Sequence, residues 1–214
     1  MNCRALRWSG EVLTTLVTLA AVSLMPTMAL AHHPMGGMTQ KTLWHGFLSG
    51  VGHPVLGPDH LAFIIGIGVL IAMSKRWLWL PVAFVATLVP GVLAHYAGMN
   101  LGPHEVFVAL SVVVLGGALL VESRLPAAAL AGAVLIAGFF HGFAFGETIV
   151  GAEATPILAY LVGLSVTIVA MATLIAWITR GMVTMGMSQT IAQRLAAGLL
   201  LVGGGVFTVQ SMIG

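Results

Sequence analysis

Charge is what this sequence has least of. Of its 214 residues, 8 are Lys or Arg and 6 are Asp or Glu, so that 7% of the chain is charged, against roughly 25% in an average soluble domain. With 59% hydrophobic residues beside that figure, a soluble fold is excluded. No basic cluster is interleaved with aromatic residues, which removes nucleic acid from the expected partners. Cysteine is nearly absent too. Cys3 is the only one, so no disulfide framework and no multi-cysteine metal site can be built. The sequence also lacks a Gly-x4-Gly-Lys-Ser/Thr loop for ATP, and His104-Glu105 is not followed by the second histidine of the His-Glu-x-x-His zinc signature. The chain is therefore not expected to be an enzyme, and no permanent cofactor is implied.

What the sequence has instead is apolar runs of near-membrane length. These favour α-helices, which satisfy their own backbone in lipid, over the short alternating strands of an outer-membrane barrel. Arg4 and Arg7, the apolar run from Val12 to Met25 and the small-x-small site Ala29-Leu30-Ala31 read as a cleaved signal peptide over residues 1–31. Cleavage also removes Cys3. Residues 32–42 read as a periplasmic tail containing His and Met, and 43–214 as a transmembrane domain. Six spans are expected, near Leu43 to Met73, Trp77 to Ala97, Val106 to Val121, Ala127 to Phe145, Pro156 to Ile178 and Ile191 to Ile213. The first is too long for one straight crossing, since about 30 residues span roughly 45 Å against a hydrocarbon core of about 30 Å. Pro54, Gly57 and Pro58 predict a break over Pro54 to Pro58, with a second helix starting near Pro58.

Cytoplasmic loops retain positive charge. An external N-terminus puts Lys75, Arg76, Arg124, Arg180 and Arg194 on the cytoplasmic side and leaves only Lys41 of the mature Lys and Arg residues outside. Both mature termini are then periplasmic, in a multi-pass protein of the bacterial inner membrane. Glu122 and Arg124 read as an ordinary cytoplasmic ion pair. Gly138, Gly142 and Gly146 recur at a helix-packing spacing.

Ionisable side chains within a membrane span cost a few kcal/mol or more and by default indicate function. Here His53, Asp59, His60, His95, His104, Glu105, His141 and Glu147 all fall in the outer half. Imidazole with carboxylate suits divalent ions of intermediate character such as nickel, cobalt and zinc. A turn at the broken first span would fold His53 toward Asp59 and His60, and His141 of the fourth span is the expected partner. His95 and Glu147 are secondary candidates as ligand or relay. His104 and Glu105 read as interfacial residues starting a helix. His32 and His33 could bind copper or nickel loosely from the tail, and Met182, Met185 and Met187 read as packing or loop residues.

These features together resemble a known family. The signal peptide, the His-rich start, His53-Pro54-x-x-Gly57-x-Asp59-His60, the segment Glu105 to Gly116 and Phe140-His141-Gly142-Phe143-Ala144 resemble the HupE/UreJ family of nickel permeases over nearly the whole mature chain. The resemblance implies uptake of nickel or cobalt, in support of hydrogenase or urease maturation proteins. It carries over His53, Asp59 and His60 as the principal motif and His141 as the later histidine. The chain departs from the pattern at Phe145, near which many relatives have a second histidine. The competing reading from another class is a transmembrane electron-transfer protein with histidines as axial haem ligands.

Overall fold

The computed structural model describes residues 41–213. The expected signal peptide and the tail histidines His32 and His33 lie outside these. The described chain is all-helical: α1 Leu43–Leu56, α2 Pro58–Met73, α3 Leu80–Tyr96, α4 His104–Leu120, α5 Ala127–Gly146, α6 Ala154–Thr184 and α7 Gln189–Ile213, with short 3-10 turns at Lys75–Trp77, Glu122–Arg124 and Glu147–Ile149. Among them, Lys75–Tyr96, Ala127–Ile149, Ala154–Thr184 and Gln189–Ile213 are long and apolar enough to cross a membrane, and α1 with α2 makes a fifth span if the bent pair is one crossing. α4, with 17 residues, is about 26 Å long and falls just short of the same length.

The break in the first span is tighter than the sequence suggested. α1 continues through Pro54 to Leu56, and only Gly57 leaves the helical region, at φ −80° and ψ 108°. A proline in the last turn removes a single helical donor, so the helix tolerates it there. Pro58 does what Pro54 does not. Its ring disfavours helical geometry in the residue before it and suits the first position of the helix after it. The two helices meet at 77°. The amide of Gly57 still donates to His53 O at 3.1 Å, and Leu61 N donates to Gly57 O at 2.8 Å, so the corner keeps its backbone bonds.

α2 runs through the middle of the bundle. Ten of its sixteen residues are buried, as expected of a helix that is apolar on every side. Around it, α1 pairs with α6, α3 with α5 and α4 with α7. Glycine sets the first two of these spacings. A Cβ on Gly50 would collide with the carbonyl of Tyr160, and one on Gly142 with the carbonyl of Leu88, so backbones touch where side chains normally intervene.

One end of the bundle gathers the cations. Arg180 donates to Ile71 O at 2.6 Å and Gln189 to Met73 O at 3.2 Å, while Gln193 bonds Leu119 O. Glu122 does not pair with Arg124 as expected. It accepts from the indole of Trp77 at 2.7 Å and lies 3.7 Å from Arg76 Nε, and Arg76 also donates to the carbonyls of Glu122 and Leu125 at 3.0 and 2.8 Å. Glu122 O also accepts the Leu125 amide within the turn at 3.3 Å, and Arg76 from the neighbouring loop adds a side-chain donor to both carbonyls. α6 also runs past its expected end near Ile178 to Thr184 and thereby carries Arg180 to its partner.

The glycine contacts make a stability prediction. Gly142→Ala should destabilise the protein by about 1–3 kcal/mol through overpacking, seen as a lower unfolding temperature in detergent. Gly117→Ala, where a Cβ meets nothing within 4 Å, should leave it unchanged or slightly higher.

Candidate metal-binding site

The corner at Gly57 brings the last turn of α1 against the first turn of α2. His53 and His60 are thereby placed with ring centres 6.0 Å apart. Gly57 is required for this approach, because a Cβ there would meet the His60 ring. His141, in the last third of α5, meets His60 from the other side with ring centres 4.8 Å apart. All three imidazoles are buried, at 2%, 3% and 0% exposure, so each must have hydrogen-bond partners.

Those partners fix where the protons lie. Ser111 of α4 donates its single hydroxyl proton to Val108 O at 2.6 Å, so at 2.9 Å it accepts from His141 Nε2. The lone pair of neutral His141 is then on Nδ1, which lies 2.7 Å from His60 Nδ1. His60 therefore donates from Nδ1 and carries its own lone pair on Nε2. Asp59 Oδ1 lies 4.0 Å from that Nε2 and accepts the His60 backbone amide at 2.8 Å. The carboxylate is 18% exposed and stands at the rim, while the three rings are sealed.

His53 is held by hydroxyl groups. Its Nδ1 lies 3.0 Å from Tyr160 Oη and 3.0 Å from Thr148 Oγ1, and both hydroxyls reach the carbonyl of Phe145 at 2.8 Å. With the two hydroxyl protons directed at Phe145 O, His53 donates from Nδ1 and its acceptor atom is Nε2. Aromatic rings form the walls. Phe145 packs at 4.7 Å from His53 and 4.0 Å from His60, and Phe63 and Phe84 pack at 4.7 and 5.3 Å from His141. Phe145, packed on both His53 and His60, thus fills the centre of the cluster with an apolar ring.

Three of the four principal candidates, His53, His60 and His141, form one buried cluster, with Asp59 at its edge. Among the described residues, no three His, Cys, Asp or Glu converge in a geometry that would hold one ion in this conformation. His95 is not part of the cluster. It lies at the end of α3 and pairs with His104 instead. Glu147 stands exposed just past α5, outside both histidine groups. Ser111, Thr148 and Tyr160 carry the hydrogen bonds of the site without having been singled out in the sequence. Their signal was faint: each is an isolated hydroxyl in or beside an apolar run. A cavity of about 260 Å³ between α4 and α5 reaches Ser111 but is otherwise lined by apolar residues such as Phe63, Leu115 and Phe140, which makes it a poor path for a cation.

Comparison with known proteins agrees with the sequence motifs. Protein HupE of Rhizobium leguminosarum bv. viciae is 30% identical over 139 residues, 64% of this chain and 67% of that protein. No solved structure matches the chain. The family described as HupE / UreJ protein matches residues 20–207, and this all-helical, multi-pass membrane chain belongs to it.

Proposed function

We propose that the protein is a secondary uptake permease for a divalent transition-metal ion, nickel or cobalt, and that His53, Asp59, His60 and His141 form its binding site. The observation that carries this reading is the meeting of three buried imidazoles from three helices in a bundle whose described residues include no cysteine. An imidazole nitrogen about 2.0–2.1 Å from an ion puts its ring centre about 3.2 Å away, so two rings on one ion stand about 4.5–6.4 Å apart. The separations of 4.8 and 6.0 Å fall in that window.

The tautomers suggest an order of events. Asp59 Oδ1 and His60 Nε2, 4.0 Å apart, would take an ion between them once they close to the roughly 2.9–3.4 Å that two donors on one ion keep at metal–ligand distances of about 2.0–2.2 Å. The other edge of the same ring faces His141. Nitrogens on one ion are about 2.9–3.4 Å apart, so for the ion to pass inward the 2.7 Å contact between His60 and His141 must open by a few tenths of an ångström, and the His60 proton must move from Nδ1 to Nε2 as the ion leaves that atom. The ion is received at the rim by carboxylate and imidazole and handed to the sealed cluster, with Nε2 of His53 as third ligand. The set binds by imidazole alone at its deepest point, strongly enough to select and weakly enough to release.

Six crossings, counting the α1–α2 pair as one and α4 as a short sixth, put both mature termini on the side away from Lys75, Arg76, Arg124, Arg180 and Arg194. By the excess of cytoplasmic Lys and Arg, the histidine cluster faces the periplasm of an inner-membrane protein and transport runs inward, supplying hydrogenase or urease maturation. The haem reading fits the geometry poorly. His60 and His141 touch directly, leaving no room for a porphyrin between them.

Cells carrying His60→Ala should accumulate at least tenfold less nickel and cobalt than wild type at equal membrane levels of protein. Equal accumulation would defeat the reading. Tyr160→Phe and Ser111→Ala each remove a group that orients a ligand, and should weaken nickel binding by about 10–100-fold, measured by titration in detergent. Phe145→His adds an imidazole at the centre of the cluster; tighter nickel binding with slower release is the expected outcome, and weaker binding would contradict it.

A further inference from the structure

His95 and His104 form a second histidine pair away from the cluster. They are brought together by a loop of seven residues, 97–103, that reverses the chain through Gly98 at φ +84° and Gly102 at φ +62°, where residues with a Cβ are strained. The loop is closed by Met99 N to Ala94 O at 3.1 Å and by Gly102 N to Asn100 Oδ1 at 2.9 Å. The two rings stand with centres 6.0 Å apart at 88°, and both lean on the ring of Phe143, at 4.5 and 5.0 Å.

Each ring is locked by a backbone carbonyl. His95 Nδ1 lies 2.8 Å from Phe143 O, and His104 Nδ1 lies 3.0 Å from Gly102 O. A carbonyl only accepts, so both rings donate from Nδ1, and in their neutral form both present the lone pair of Nε2. The end of α5 provides the first of these carbonyls: the amide of Glu147 bonds Ala144 O, leaving Phe143 O to His95. An imidazole whose Nδ1–H is held by a carbonyl, with Nε2 as acceptor, is the usual arrangement of a metal-ligating histidine.

We infer that His95 and His104 form a second site for a divalent transition-metal ion, at the mouth of the bundle and separate from the His53, His60 and His141 cluster. The ring separation of 6.0 Å lies within the roughly 6.4 Å that two imidazoles on one ion can span, given nitrogen–metal distances of about 2.0–2.1 Å. Both residues are only partly buried, so water completes the coordination and the ion exchanges readily. Glu105 and Glu147, exposed on the neighbouring ends of α4 and α5, raise the local cation concentration and offset the positive N-terminus of α4. Two protein ligands plus water make a capture site rather than a resident one.

The test is nickel titration of the purified full-length protein in detergent, with His32→Ala and His33→Ala in every sample to remove the tail ligands. The pair His95→Asn and His104→Asn keeps a side-chain donor for each carbonyl but removes each Nε2. It should lose a weaker nickel ion and retain a tighter one, with an unfolding temperature close to that of the parent. The pair His60→Ala and His141→Ala should retain the weaker ion, which makes the outer site readable even if the inner cluster binds nothing. Unchanged stoichiometry and affinity in the asparagine variant, or no weaker ion in the parent, would overturn the inference. Should the double variant fail to accumulate, His104→Asn alone, at the exposed start of α4, must weaken the outer ion at least tenfold; unaltered binding there would overturn it equally.

Discussion

Pro58 cannot follow a helical residue comfortably, and Gly57, which precedes it, is the one residue between α1 and α2 that takes extended geometry. The 77° bend that results is what converts a sequence motif into a place. In a straight helix His53 and His60, seven residues apart, would lie two turns or about 10 Å from each other along one face. With the chain turned at Gly57 their rings come to 6.0 Å, and the lack of a Cβ at the corner lets the His60 ring lie close over the backbone. His141 reaches the same point because α5 packs on α3 through Gly142. A side chain at either glycine would hold the imidazoles apart.

Burying three imidazoles in an apolar bundle costs free energy unless each polar nitrogen is satisfied. The chain meets that demand with hydroxyls and carbonyls rather than charges. Ser111 relays His141 to the α4 backbone, and Tyr160 with Thr148 relays His53 to Phe145 O. These bonds also decide the tautomers, and hence which ring edge can face an ion. The single carboxylate, Asp59, is kept at the rim where water stabilises its charge. Arg76 and Arg180 are held away from the histidines by carbonyls and Glu122.

Much of this was legible in the sequence because lipid narrows the options. Apolar runs gave the helices to within a few residues, and rare ionisable residues inside them marked His53, Asp59, His60 and His141. The corner was legible only in part: Pro54 and Pro58 look alike as letters, but only Pro58 stands where a helix must begin. The pairing of Glu122 with Arg76 and Trp77 in place of Arg124 depends on which loop lies beside the Glu122–Arg124 turn, which is a tertiary fact. The same holds for Ser111, Thr148 and Tyr160, whose hydroxyls are ordinary in membrane helices until a buried imidazole is found beside them. His95 and His104 were visible singly, yet their pairing waits on the two left-handed glycines of the seven-residue loop between α3 and α4.

Nickel K-edge X-ray absorption on the nickel-loaded protein, with His32, His33, His95 and His104 replaced, tests most directly whether imidazoles from α1, α2 and α5 share one ion. Scattering from two or three imidazoles with nitrogen at about 2.0–2.1 Å, no sulfur, and loss of that signal in His141→Ala is the predicted result. A nickel ion ligated by oxygen alone, or one whose spectrum is the same with and without His141, would contradict it.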